Sequence, residues 1–279
     1  MNGKGEKEMA SKVVVIKCGG SMLEEMPASF YQELTQLQQA GKEIVIVHGG
    51  GPAINELLGQ LKIEPKFVQG LRVTDVPTMQ AVEMVLSGST NKKVVRNILT
   101  AKGKAWGMSG VDASLIKATV KDEAFGLVGE IMQVNPEPIR FLLQAGYVPV
   151  ISPVAVSCDG MQSLNVNADI SAGAIAAALE AEKLLLMTDV SGIYTKNEAG
   201  ERIMKESTTA EEIEQLIADE VIYGGMIPKV QAALDALHQG VEEVVICLAE
   251  AASLHKACYG EAVGTSIFQK KWTKIGGTK

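Results

Sequence analysis

Aromatic residues are scarce in this chain, 4% of 279, so the core must be built from Val, Ile, Leu, Ala and Met. That suits sheets covered by helices better than a β-sandwich. Histidine is rarer still: the three present stand at no spacing with cysteine or carboxylate that would make a zinc site. The four cysteines, Cys18, Cys158, Cys247 and Cys258, are scattered and form no C-x-x-C pair, which reads as reduced thiols and fits the cytosol. Positive charge is not in excess either. With 26 Lys+Arg against 33 Asp+Glu the net charge is −7, which argues against nucleic acid as the main partner, since phosphate backbones want a basic face. No apolar run reaches membrane-spanning length, and the polar residues 1–12 contain no hydrophobic stretch of a signal peptide. The expectation is a cytoplasmic protein with a frayed tail over 1–12. Two phosphate-binding signatures are missing as well: neither G-x-x-x-x-G-K-[ST] nor G-x-G-x-x-G occurs.

What the chain does contain is a pair of strands that end in glycine. Val13-Val14-Val15-Ile16 is a β-branched apolar run of the kind a buried parallel strand shows, and it stops at Lys17-Cys18-Gly19-Gly20-Ser21. A lysine beside two glycines sets a cation next to backbone that an anion can approach closely. The pentapeptide alone also fits a helix-connecting turn with a surface lysine. A second strand, Ile44-Val45-Ile46-Val47-His48, ends the same way at Gly49-Gly50-Gly51, with Pro52 placed to open a helix. Two such edges in one half of the chain point to a single phosphate-binding crevice, with the Gly49–Gly51 amides at a helix N-terminus. His48 itself reads as a satisfied strand-end histidine or, alternatively, as a base.

Strand runs alternate with helical periodicity almost throughout, the pattern of a mostly parallel sheet with helices on both faces. Helices are predicted over 27–40, 53–61, 76–86, 91–101, 136–145, 168–179, 210–219 and 227–238. Strands are predicted over 43–48, 147–151, 183–188 and 244–246, with hairpins over 115–134 and 193–204, the latter turning at 197–200. Ser87-Gly88-Ser89 is expected to separate two helices. The alanine-rich segment 168–179 is suited to close packing on the sheet, and the lobe boundary is expected near residue 180.

Further polar clusters stand at predicted element ends. Asn165, Asn167 and Asp169 precede the alanine helix at i, i+2 and i+4. Either Asn167 or Asp169 can cap that helix; two amides and a carboxylate exceed what a cap needs, which favours a ligand. Gly224-Gly225-Met226-Ile227-Pro228-Lys229 puts a lysine in a first helical turn, where the dipole disfavours it unless it meets an anion such as phosphate. Arg72, between Gly70 and the capping pair Thr74-Asp75, offers a guanidinium for a carboxylate. Asp189 ends a strand and is followed by the flexible turn Val190-Ser191-Gly192, suited to a nucleotide.

Taken in order, these segments resemble the amino acid kinase family: IKCGG at 16–20, VIVHGGG at 45–51, QGLRVT at 69–74, GMSGVD at 107–112, NVNAD at 165–169, TDVSGI at 188–193 and GGMIPKV at 224–230. The resemblance runs from Val13 to Phe268, and the GLRVT and NVNAD pair resembles its acetylglutamate branch. It implies a three-layer αβα sandwich around a mostly parallel sheet, the carbamate kinase-like fold, in two lobes: 13–180 for the amino acid and dimerisation, 181–279 for ATP. It also implies phosphorylation of the γ-carboxylate of N-acetyl-L-glutamate by ATP with Mg²⁺ held mainly by the phosphates. Alternatives are a relative acting on another acylated amino acid, such as an aminoadipate, and a non-catalytic nucleotide-binding protein. By the same resemblance Lys17 and Lys229 stabilise the transition state and Asp169 orients both lysines. Gly50, Gly51, Arg72 and Asn165 bind the acceptor, with Asn167 nearby. Gly19, Gly20 and Gly49 serve the phosphoryl group, and Asp189, Ser191 and Gly192 line the ATP side. Arginine-inhibited members of the family look longer at the N-terminus. With twelve residues before Val13 and a short stretch at 247–269, the resemblance implies an arginine-insensitive homodimer; the net charge and the lack of a spanning run lead to the expectation of no nucleic-acid or membrane partner.

Overall fold

The computed structural model describes residues 13–68, 70–196, 200–249 and 253–270. The expected tail at 1–12, Gln69 of the QGLRVT motif and the hairpin tip at 197–199 lie outside the described residues.

The β-branched run forms β1 (Val13–Cys18), buried along its whole length. Its side chains alternate between two core layers: Val13 and Val15 join one apolar cluster, Val14 and Ile16 the other. A strand covered on both faces must be apolar at every position, which is why the run is continuous. A short helix that periodicity does not reveal, α1 (Gly20–Glu25), leads to α2 (Ala28–Gln39), which buries Phe30, Leu34 and Leu37 as its spacing predicts. Next come β2 (Glu43–His48) and α3 (Gly51–Gln60), with Gly50 at the N-cap and Pro52 in the first turn. A small hairpin, β3 (Phe67–Val68) and β4 (Leu71–Arg72), precedes α4 (Val76–Glu83), whose N-cap is Asp75.

The expected break at Ser87-Gly88-Ser89 does not occur. α4 runs into a seven-residue π-turn, Met84–Thr90, which continues as α5 (Asn91–Thr100). Serine and glycine lower helix propensity, but Val85, Leu86 and Val94 are buried on either side, and tertiary packing overrides the local preference.

Beyond β5 (Ala105–Gly110), the predicted antiparallel pair forms as β6 (Ile116–Val120) and β7 (Gly129–Val134), followed by α6 (Glu137–Gln144). β8 (Val148–Ser157) extends past the expected end at 151 and through Pro153. It can do so because it changes neighbours, using its first half for β2 and β5 and its second for β6 and β9 (Ser163–Asn165). Gly160, at φ +78°, makes the β8–β9 turn. Then come α7 (Ala168–Ala178), β10 (Lys183–Thr188) and the hairpin β11 (Tyr194–Lys196) with β12 (Arg202–Met204). The described chain closes with β13 (Ser207–Thr209), α8 (Ala210–Ala218), α9 (Ile227–His238), β14 (Glu243–Leu248), α10 (Ser253–Cys258) and β15 (Gly264–Phe268).

Eleven described strands form one sheet in the order β13-β15-β14-β10-β1-β2-β8-β6-β7, with β5 and β9 also paired to β8. β14, β10, β1, β2 and β8 run parallel, while β15 and β7 reverse. Helices α6, α7, α8 and α9 cover one face and α2, α5 and α10 the other, giving the three-layer α/β architecture that the alternation of elements predicts. Small residues let α7 and α9 approach closely: a Cβ on Gly173 would sit 3.3 Å from that of Ala236. Across residue 180 the sheet is continuous, since β10 pairs with β1 from Val14↔Lys183 to Cys18↔Met187. The chain steps from β1 to β2 and outward to β8, then returns to β10 on the other side of β1. Such a reversal opens a crevice at the carboxyl ends of the strands.

Candidate active site

The two glycine turns are in backbone contact. A Cβ on Gly20 would lie 2.6 Å from the amide nitrogen of Gly50 and 2.7 Å from that of Gly51, and one on Gly49 would lie 3.2 Å from the nitrogen of Gly20. Gly49 N–H also donates to Cys18 O at 3.0 Å, tying the end of β2 to the end of β1. No side chain fits at Gly20 without backbone movement, so the sequence spends glycine where two loops must touch.

Lys17 is buried at this junction, and its Nζ lies 2.8 Å from Asp169 Oδ1. The two capping candidates at the start of α7 divide the work. Asn167 Oδ1 accepts from Asp169 N–H at 2.8 Å and Ile170 N–H at 3.2 Å, leaving the Asp169 carboxylate for the lysine.

On the β2 side the buried Arg72 donates through Nη2 to Asn55 Oδ1 at 2.6 Å and to Gly51 O at 3.3 Å. Its other terminal nitrogen, Nη1, is buried without a hydrogen-bond partner. Burial pushes the Arg72 pKa down from its ordinary value, yet guanidinium keeps its proton in proteins. Phe67 stacks on the guanidinium at 4.7 Å. Thr74, fully buried, donates to Arg72 O at 2.8 Å and accepts from Asn165 Nδ2 at 3.1 Å. Gly51, Arg72, Thr74 and Asn165 thus form one connected chain of contacts. Sequence reasoning missed Asn55, whose signal is its place one helical turn beyond Gly51. It also missed Thr74, read as a cap; the cap is Asp75, which accepts from Thr78 N–H.

On the β10 side Asp189 Oδ1 accepts from Thr188 Oγ1 at 2.8 Å and from Lys229 Nζ at 3.1 Å. The Thr188 hydroxyl and then Lys229 hold its pKa below the usual carboxylate value. Asp169 was expected to orient both lysines; here it meets Lys17, while Lys229 meets Asp189. Lys229 stands in the first turn of α9, where the helix dipole repels a cation, and the strand-end carboxylate offsets that. Ser191 and Gly192 form the turn that follows, pinned where Ile193 N–H donates to Thr265 Oγ1 at 2.8 Å. Gly19 bridges the two sides, since a Cβ there would sit 3.7 Å from Met187 O at the end of β10.

His48 is fully buried beneath the junction, and Cys18 is buried within the sheet beside it. Burial lowers the His48 pKa to about 4 and raises that of Cys18 to about 12, so the imidazole is neutral and the thiol is no nucleophile. His48 is the satisfied strand-end histidine. Among the described residues no group of three His, Cys, Asp or Glu is placed to hold a metal ion, and no helix is long and apolar enough to cross a membrane.

The amino acid kinase family profile matches residues 12–247. A Brevibacillus brevis protein named acetylglutamate kinase is 53% identical over 255 residues, covering 91% of this chain and 96% of its own length. Another so named, from Halalkalibacterium halodurans, is 44% identical over 256 residues, 91% of this chain and 95% of that one. Among solved structures, carbamate kinase from Giardia lamblia bound to AMP-PNP shares the fold, with a TM-score of 0.70 at 18% identity over 94% of this chain and 99% of that one. With its sheet order, its glycine crevice and these matches together, the chain belongs to the amino acid kinase family.

Proposed function

We propose that this protein transfers the γ-phosphoryl group of ATP to the γ-carboxylate of N-acetyl-L-glutamate, giving N-acetyl-L-glutamyl 5-phosphate and ADP, the second step of arginine biosynthesis. The observation that carries the reading is the crevice where the glycine turns of β1 and β2 meet. Lys17 is buried in it, and beside Gly51 stands a buried arginine with an unspent nitrogen. The names of the relatives support the choice of acceptor.

A carboxylate is already ionised near neutral pH, so the acceptor needs no general base, and the buried neutral His48 is not asked to be one. One carboxylate oxygen forms the new O–P bond while the bond from the γ-phosphorus to the bridging oxygen breaks, its electron pair leaving on ADP. The task is to hold two mutually repelling anions in line and to neutralise the charge that develops. Lys17 and Lys229 supply the cations, and Asp169 holds Lys17 in place. Gly50, Gly51, Arg72 and Asn165 bind the acceptor, with Arg72 Nη1 free for a carboxylate oxygen, and Asn167 close by as the cap. Gly19, Gly20 and Gly49 offer backbone to the moving phosphoryl group; Asp189, Ser191 and Gly192 line the nucleotide side.

Mg²⁺ would come with ATP and be held mainly by its phosphates, supplying charge neutralisation there, since Asp169 and Asp189 each already face a lysine. Residues 13–180 form the acceptor and dimerisation lobe and 181–279 the ATP lobe of an arginine-insensitive cytoplasmic homodimer; sedimentation as a hexamer would overturn the dimer. The direct test is an ATP-dependent acylphosphate assay on purified protein with N-acetylglutamate, glutamate, aspartate and aminoadipate. Turnover is expected with N-acetylglutamate by a wide margin. Preference for another acceptor, or no acetylglutamate-dependent ADP release, sinks the reading.

A further inference from the structure

The π-turn Met84–Thr90 lies against the glycine crevice rather than beside it. A Cβ on Gly50 would meet Leu86 Cδ2 at 2.5 Å and Thr90 Oγ1 at 3.5 Å, so the wide turn is the floor on which Gly50 rests. Ser87 Oγ reaches Ser152 Oγ on β8 at 2.9 Å. The first residue after the turn, Asn91, is fully buried between three strands. Its Nδ2 lies 2.9 Å from Val150 O on β8, 3.2 Å from Met108 O on β5 and 3.2 Å from His48 Nε2 at the end of β2. Its Oδ1 accepts from Lys92 Nζ at 3.0 Å, and Lys92 also reaches Gly107 O at 3.2 Å. A Cβ on Gly107 would collide with Asn91 Oδ1, so β5 carries glycine where this amide must fit.

The hydrogen-bond chemistry has one consistent solution. Gly49 O can only accept, so His48 Nδ1, 2.9 Å away, carries the proton. Nε2 is then an acceptor facing Asn91 Nδ2, whose two hydrogens are shared among it, Val150 O and Met108 O. Each partner fixes the other: the amide selects the imidazole tautomer, and that tautomer holds the carbonyl of the first glycine of the turn. π-turns recur at functional sites because the extra residue re-aims side chains that an α-helix would point elsewhere.

We infer that Asn91, presented by the π-turn, is a positioning residue that acts through His48 to preset the Gly49–Gly51 amides for phosphoryl transfer. This rests on the phosphoryl-transfer reading of the crevice. Neither side chain touches the reacting groups; their effect runs through the backbone between them and the crevice.

The test compares wild type with Asn91→Ala, His48→Asn and His48→Gln in the acylphosphate assay, with folding checked by circular dichroism and Tm. His48→Asn keeps a donor for Gly49 O and loses the acceptor that Asn91 uses. His48→Gln places an acceptor near the position of Nε2 and takes the donor away from Gly49 O. Asn91→Ala and His48→Gln are expected to lower kcat about ten- to a hundredfold, the scale of a small misplacement near the chemistry. The KM for ATP should stay within about threefold, and His48→Asn should keep more of the rate than His48→Gln, in keeping with the donor it retains for Gly49 O. Folded Asn91→Ala and His48→Gln with a lowered Tm but wild-type kcat make the network purely structural and overturn the inference while leaving the function standing. Should Asn91→Ala fail to fold, His48→Asn against His48→Gln decides: equal rates overturn the inference, the expected order supports it. A wild type inactive with every acceptor removes the function and this inference together.

Discussion

Arg72 and His48 show how one buried group can be left open for a ligand while another is closed to everything. Arg72 commits Nη2 to Asn55 and Gly51 and keeps Nη1 unpaired, which costs stability unless a ligand uses it. His48 uses both ring nitrogens and pays for burial in proton affinity instead. Its pKa of about 4 reflects burial first; the Gly49 hydrogen bond pulls it upward and the Lys92 charge pushes it down further. Because the folded value lies below the ordinary 6.5, the stability this group contributes is complete above pH 6.5. As pH falls toward 4 the unfolded chain takes up a proton that the folded protein refuses, and that stability drains away. The amount is on the order of 3 kcal/mol. Melting curves between pH 7.5 and 4.5 should therefore show a steeper loss of Tm for wild type than for His48→Asn, which has no imidazole there. Parallel curves would mean that His48 is not kept neutral by its surroundings.

At the scale of elements, the strands and the glycines after them were legible, and the devices that join them were not. β2, β10 and α9 have the predicted limits, because an apolar run or a helical stripe bounded by glycine or proline leaves little freedom. The π-turn was read as a break, since i→i+5 bonding leaves no apolar period and Ser-Gly-Ser looks like a loop. Asn91 was invisible because its partners are the carbonyls of Val150 and Met108 and the ring of His48, brought together only by the sheet, and carbonyls carry no sequence identity. Lys17, Arg72 and Asp169 stand out in the sequence through their places at strand and helix ends; the pairing of Lys229 with Asp189 does not, because which carboxylate a lysine meets is a tertiary fact. The contact between the two glycine turns makes its own prediction. Gly20→Ala forces a Cβ against the Gly50 and Gly51 amides, so kcat should fall about a hundredfold as the turns are pushed apart. Gly59→Ala, in α3 with nothing within 4 Å of the new Cβ, should instead stabilise by about 0.5–1 kcal/mol and leave turnover unchanged. Comparable kinetics for the two variants would mean that the Gly20 contact has no part in the chemistry.

For the molecule as a whole, the sheet is what makes distant segments act together. β1 lies between β2 and β10, so its glycine turn is shared by the Gly51–Arg72–Thr74–Asn165 network on one side and the Asp189–Lys229 pair on the other. Lys17 comes from the first described strand and Lys229 from α9, and each is held by its own aspartate. If both neutralise charge on one transferring phosphoryl group, they work as a unit, and removing either disables what the other does. Lys17→Arg and Lys229→Ala should each lower kcat about 10²–10³-fold, the cost of one preorganised donor, while the KM for ATP changes little. The double variant should then lose much less than the product of the two, since residues that act as a unit are strongly non-additive. Losses that multiply in full would mean that the lysines act at separate steps, and a variant with wild-type kcat would take its lysine out of the transition state altogether. Lys17→Arg sharpens the comparison because it keeps the charge. Its planar guanidinium cannot occupy the point position of an ammonium 2.8 Å from Asp169, so a large effect there argues for placement of the charge rather than its mere presence.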